Sequence, residues 1–270
     1  MWMTNNITAN FQNHYRITNK FANYKGKINV ELFNSELFEQ IALITYNDNV
    51  VQGNTQQEVI TQRFHYIEGE VISQVPYCVV KEAKRVLICG TLNIQIAYFF
   101  ALNNIEVDMV VGDNEALYTL SGFFPHFKEV IENPKIHIYD NFLSLENPKY
   151  DIIIHLGHIK THEFNALSKM VNKDFAIIMR LSNLYLEPSI ALNALSIAKD
   201  FGNILMPFII PSFMCGFYAF LSKTLHPLAD LQLQKSDMLE NMQFYNSNLH
   251  TSMFRLPSVI NRMISPYVKN

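Results

Sequence analysis

Charge is sparse in this chain: only 17% of its 270 residues are Asp, Glu, Lys or Arg, and the formal net charge is −3. No run of like charges occurs, so there is no clustered basic face and nucleic acid is excluded as a partner class. Cysteine is scarce too. Cys78, Cys89 and Cys215 are odd in number, far apart and set in apolar surroundings. A disulfide framework is thereby excluded, and buried free thiols in a reducing compartment are expected. No uncharged apolar stretch approaches the ~18 residues of a membrane span, and Ala97–Leu102 is far too short. The first residues, Met1–Thr8, lack a basic region followed by an apolar one, so a secretory leader is not expected. Repeats and low-complexity segments are missing as well. A cytoplasmic protein without membrane attachment is the expectation. What is abundant is apolar surface, at 49% of residues with 13% aromatic, enough for a large core without covalent staples.

The length suits one large domain plus a small one. Residues 1–60 read as strands and turns. Lys27–Phe33 alternates apolar and polar residues, Gln40–Tyr46 is a second β-branched run, and Asn47, Asp48 and Asn49 read as a turn. Gln62–Gln74 carries helical spacing, with Pro76 marking its end. From Arg85 strands and helices alternate. Strands are expected at Arg85–Gly90, Glu106–Val111, Lys135–Tyr139, Asp151–His155 and Phe175–Arg180. Helices are expected at Leu92–Leu102, Asn114–Gly122, Thr161–Val171 and Pro188–Phe201. Ile204–Ile210 and Gly216–Ser222 form a closing antiparallel pair. The expected fold is α/β: a methyltransferase-like, doubly wound, mostly parallel sheet over 61–270, preceded by a small antiparallel β domain over 1–60. Ligands of such sheets sit at the carboxyl ends of the strands.

The tail sharpens this. Tyr245, Asn246, His250, Phe254, Leu256 and Pro257 reproduce the spacing of a closing signature. Val50-Val51-Gln52, Phe123-Phe124-Pro125, Ser222-Lys223-Thr224 and His226-Pro227-Leu228 precede it in matching order. Together these segments resemble the spermidine synthase (polyamine aminopropyltransferase) family, in a divergent short bacterial branch. The resemblance implies attack by a putrescine nitrogen on the methylene beside the sulfonium of decarboxylated S-adenosylmethionine. Spermidine forms and methylthioadenosine leaves. The nucleoside is a co-substrate, so no cofactor is expected. A dimer or tetramer is implied, and a homodimer is expected.

Several positions depart from that pattern. Gly90-Thr91-Leu92-Asn93-Ile94 stands where the family has Gly-Gly-Gly-Asp-Gly. Gly90 keeps the turn, and Asn93 replaces an acid with an uncharged hydrogen-bonding group. Val111 occupies the place of the ribose-binding Glu. Asp113 either takes over that role or caps the helix after it. Asp140-Asn141 matches the pair that reads the adenine amino group. In the diamine loop, Leu156 stands at the proton-accepting Asp and Ile159 at a second Asp. Glu70 matches the family's helix Glu, Glu68 replaces a Tyr, and Gln74 replaces the His before Val75-Pro76. Glu68 and Glu70, two apart, do not share a helix face.

The resemblance therefore makes Glu68 and Glu70 the candidates for holding the diamine, with His155 or His158 as a surrogate base near neutral pH. The substrate-binding set is Gln52, Gln74, Gly90, Asn93, Asp113, Asp140, Asn141 and Leu156. The main pocket is expected near Gly90, Asp113 and Asp140, roofed by the Gln62–Gln74 helix. His155, His158, His162 and Glu163 have the residue types of a metal site but no recognised zinc spacing, so no metal is expected. The competing reading is a non-catalytic or regulatory homologue that binds a nucleoside or a polyamine. Methyl transfer fits the fold class but neither the small domain nor the tail.

Overall fold

The computed structural model describes residues 1–51, 54–146 and 148–270. Strands β1 (Trp2–Thr8) and β2 (Phe11–Arg16) make a hairpin. Strands β3 (Asn19–Tyr24), β4 (Ile28–Ser35), β5 (Glu39–Val51) and β6 (Asn54–Thr61) follow as an antiparallel sheet in sequence order. Where Asn47–Asn49 reads as a turn, β5 instead runs on, with the register against β6 slipping between Tyr46 and Val50. Period-two alternation gives this sheet two buried faces. Phe33, Ile41, Leu43 and Val59 pack under the β1–β2 hairpin with Met3 and Tyr15. Val30, Leu32, Ile44 and Ile60 enter the core of the larger domain. Glu58, two residues before Ile60, therefore points toward the larger domain as well.

A 3-10 turn at Gln62–Phe64 leads into α1 (Tyr66–Tyr77). Pro76 lies inside its last turn rather than at the boundary. A proline there removes a bond to only one carbonyl, and the helix stops one residue later. The larger sheet has the order β12-β13-β11-β10-β7-β8-β9. Its members are β7 (Arg85–Cys89), β8 (Glu106–Val110), β9 (Ile136–Tyr139), β10 (Tyr150–His155), β11 (Val171–Leu181), β12 (Ile204–Ile210) and β13 (Gly216–Ser222). Strands β7 to β11 are parallel, and β13 turns antiparallel against β11. The connecting helices are α2 (Gln95–Leu102), α3 (Asn114–Thr119), α4 (Phe127–Glu132), α5 (Thr161–Leu167) and α6 (Pro188–Ala198). Val71 and Ile72 of α1 and Ile96 and Phe100 of α2 cover one sheet face. Phe164 of α5 and Ala191 and Leu195 of α6 cover the other.

The chain order reverses between β7 and β10, which makes their carboxyl ends the topological switch point. The tail adds α7 (Leu233–Asp237), α8 (Ser247–Met253) and α9 (Ser258–Ile264). No helix among the described residues is long and apolar enough to cross a membrane. Cys78 and Cys89 are buried, but Cys215 is exposed, because it sits in the β12–β13 loop with a left-handed φ of 45°.

Candidate active site

Two cavities of about 200 and 250 Å³ open at the strand ends and share Ile7, Gln57, Arg180, Leu181 and Asn183. They form one forked cleft, with Arg180 at the fork. Arg180 closes the apolar run of β11 and is registered opposite Tyr218 of β13, so both side chains leave the sheet on the α1 side. Its Nη2 donates to Glu58 Oε1 at 2.6 Å and to Glu68 Oε1 at 2.7 Å. Glu58 Oε2 also accepts from the Tyr46 hydroxyl at 2.6 Å, and Thr91 reaches the same carboxylate at 3.3 Å. Glu68 accepts from Tyr218 and, at 3.1 Å, from Asn93 Nδ2. Two strands of the small domain, one helix, two strands of the large sheet and the loop after β7 thus meet in a single polar knot.

Its electrostatics follow from that geometry. Burial pushes the Glu68 carboxyl upward, but Arg180 and the bonds from Tyr218 and Asn93 more than offset this and hold it below its usual range. Burial alone would lower the Arg180 guanidinium, and Glu58 and Glu68 reverse that, so it stays charged. The Tyr46 and Tyr218 phenols are pushed well up by burial beside these carboxylates and remain donors. The knot carries two carboxylates and one guanidinium.

Sequence reasoning singled out Glu68 and Asn93, which line the larger arm, and Leu156, which lines the smaller one. It missed Arg180, Glu58, Tyr46 and Tyr218. The available signal was a lone charge within a β-branched run: Glu58 before Val59-Ile60, and Arg180 after Phe175–Met179.

Other expectations need correction. Glu70 does not line the cleft. It is fully buried, and its carboxylate accepts the backbone N–H groups of Gln243, Phe244 and Tyr245 at 2.8–2.9 Å. Glu68 faces the cleft and Glu70 the tail, as helical spacing two apart demands. Gln74 is also fully buried beside α2, accepting from Asn103 at 3.5 Å. His155 is registered beside Cys89 and Met179, which face the apolar layer under α5 and α6. It is 6% exposed, its Nδ1 has no partner among the described residues, and burial holds its pKa down. His158 rather than His155 lines the smaller arm.

A pocket is expected from the sequence near Gly90, Asp113 and Asp140; none of the three, nor Asn141, lines either of the two cavities above. Gly90, at φ +75°, packs so tightly that an added Cβ would lie 2.2 Å from the Gly157 nitrogen. The loop after β10 therefore packs directly against the turn after β7. Asp113 caps α3 by accepting from Ala116 N at 3.2 Å. It also accepts from Ile28 N and the Tyr24 hydroxyl, so it fastens the small domain to the large one. Asp140 is exposed and accepts from Asn114 N at 3.2 Å, while Asn141 caps the short turn after it. Gln52 lies outside the described residues. Among the described residues no group of three or more His, Cys, Asp or Glu is placed to hold a metal.

The fold, a small β-sheet domain joined to a seven-stranded methyltransferase-like sheet, is similar to that of two solved spermidine synthase structures. The Thermotoga maritima spermidine synthase superposes with a TM-score of 0.83 at 14% identity, covering 98% of this chain and 94% of that one. A spermidine synthase in complex with the transition state analogue AdoDATO superposes with a TM-score of 0.85, also at 14% identity and with the same coverage. At the level of sequence the chain is similar over its full length to proteins named polyamine aminopropyltransferase. It is 29% identical to that of Helicobacter acinonychis (strain Sheeba) over 273 residues, covering all of both chains. It is 27% identical to that of Alkaliphilus metalliredigens (strain QYMF), covering 88% of this chain and 92% of the relative. No model of a known protein family matches the chain.

Proposed function

We propose that this protein is a polyamine aminopropyltransferase that moves the aminopropyl group of decarboxylated S-adenosylmethionine onto putrescine, giving spermidine and methylthioadenosine. The observation that carries the reading is the cleft: Glu58 and Glu68 stand at the strand ends of an aminopropyltransferase-like fold, where an ammonium needs carboxylate partners. The full-length likeness to proteins of that name supports it. The reaction has a good leaving group, so holding the amine in line with the sulfonium-bound methylene supplies most of the rate. As part of the same proposal the protein works in the cytoplasm as a homodimer.

The test is to mix purified protein with decarboxylated S-adenosylmethionine and putrescine and to measure methylthioadenosine and spermidine. Stoichiometric appearance of both is expected, and release of neither overturns the reading. A second reading, a non-catalytic polyamine or nucleoside binder, draws on the tight Gly90–Gly157 packing at the switch point. Binding of either ligand without turnover would establish it.

A further inference from the structure

The transfer needs a neutral amine nitrogen, yet an alkyl ammonium titrates near 10 and, by the resemblance, Leu156 stands where the family has a proton acceptor. The carboxylates of the cleft are already engaged as hydrogen-bond acceptors from Arg180, Tyr46, Thr91, Tyr218 and Asn93. Neither is a free base. The charge they leave is informative: in the arm that holds Glu58 and Glu68, two carboxylates and one guanidinium amount to a single net negative charge, while Glu187 lines only the other arm. Putrescine in water is a dication, whereas the form able to react is a monocation, with one ammonium to be anchored and one amine to attack.

We infer that Arg180 replaces the missing base by charge: it limits the acceptor subsite to one net negative charge, so the diamine binds with its attacking end already neutral. This rests on the aminopropyl-transfer reading and adds how the amine is delivered. The proton leaves to water as the amine enters. The nitrogen lone pair then forms the new C–N bond while the C–S pair returns to sulfur, turning the sulfonium into a thioether. The product nitrogen carries the positive charge away as a secondary ammonium. No protein group need accept a proton in the transfer step. A cation near an amine lowers its pKa by disfavouring a second like charge.

The charged and titratable groups that share the cleft with Arg180 are Glu58 on β6, Glu68 and His65 at α1, Tyr218 on β13, His158 after β10 and Glu187 before α6. Cys215 stands at the mouth. His65 and His158 are held down by burial and stay neutral above pH 7, so Arg180 is the cation of the cleft among the described residues.

The test is the pH profile of kcat at saturating putrescine in the wild type, Arg180→Lys and Arg180→Gln, with folding of each checked by thermal unfolding. Arg180→Gln should move the rising alkaline limb up by about one pH unit, the effect of removing a unit charge several ångströms from the amine at intermediate dielectric. Arg180→Lys, which keeps the charge but not the fork, should keep the wild-type limb at reduced kcat. If Arg180→Gln does not fold, a limb in Arg180→Lys displaced upward by as much as one unit overturns the inference, and an unmoved limb supports it. Coincident limbs in all three proteins, with methylthioadenosine released normally, overturn this inference and leave the transfer reading intact. A wild type that releases no methylthioadenosine overturns both.

Discussion

Substituting Glu70→Gln separates a role in amine binding from a role in holding the tail. Oε2 accepts from Phe244 and Tyr245 N at 2.8 Å each, and Oε1 from Gln243 N at 2.9 Å. A glutamine oxygen can keep the first pair. Its NH2 group then faces the Gln243 N–H, donor against donor, in a fully buried place. One charge-assisted bond is lost, at about 1.5–3 kcal/mol, and one N–H is left unsatisfied, at about 1–3 kcal/mol. Partial relaxation of the tail recovers some of this, so a net loss of about 3 kcal/mol is expected. For a chain of this size that lowers Tm by roughly 6–12 °C. Thermal unfolding followed by circular dichroism measures it, with limited proteolysis reporting release of residues beyond 240. The folded variant should keep its putrescine KM. An unchanged Tm together with a sharply raised KM would refute the reasoning and return Glu70 to the amine site.

Two further outcomes are expected. His250 is fully buried; Pro227 O can only accept, so Nε2 carries the proton and Nδ1 accepts from the Tyr245 hydroxyl at 2.7 Å. Burial lowers its pKa from 6.5 to about 4, so the folded state binds fewer protons than the unfolded one. Its contribution is fully present above pH 6.5 and is lost as pH falls toward 4, by about 3 kcal/mol at most. Denaturant titrations from pH 7 to pH 4 check this, and a His250→Gln protein that loses stability equally steeply would contradict it. Gly90→Ala should lower stability by at least about 2 kcal/mol, because φ is left-handed and the new methyl meets the Gly157 backbone. A Tm equal to wild type would show that the loop after β10 yields freely.

The alternation of strands and helices was legible from Arg85 onward because buried parallel strands read as apolar runs, and Val86–Cys89 and Ile152–Ile154 do so plainly. The six-residue helix α4 was not legible: Phe127–Glu132 is too short for a hydrophobic period to declare itself. The course of β5 through Asn47–Asn49 was also hidden, since the strand is held by pairing of Tyr46 and Val50 on either side while the register slips across those residues. At the site, reading each residue against a family position found Glu68 and Asn93 but misplaced Glu70 and His155. Position in a motif does not say which way a side chain leaves its element. For Glu70 the helix phase decided that, and for His155 the strand register. Arg180 stood out only as a lone charge after an apolar run, and its pairing was invisible: its partners lie 112 and 122 residues away, and no local pattern joins them.

Those separations also bear on the order in which the molecule assembles. Both acids are made more than a hundred residues before their cation, so a nascent small domain completes its sheet with Glu58 still in water. Burying Glu58 and Glu68 together without Arg180 would desolvate two like charges, which opposes closure of the domains. Docking of the two domains is therefore expected to follow entry of β11 into the sheet, an order that φ-values at Arg180 and Glu58 would check. A step that strips water from three charges at once carries a strong ionic-strength dependence, and the folding of this protein should feel salt at its end rather than at its start.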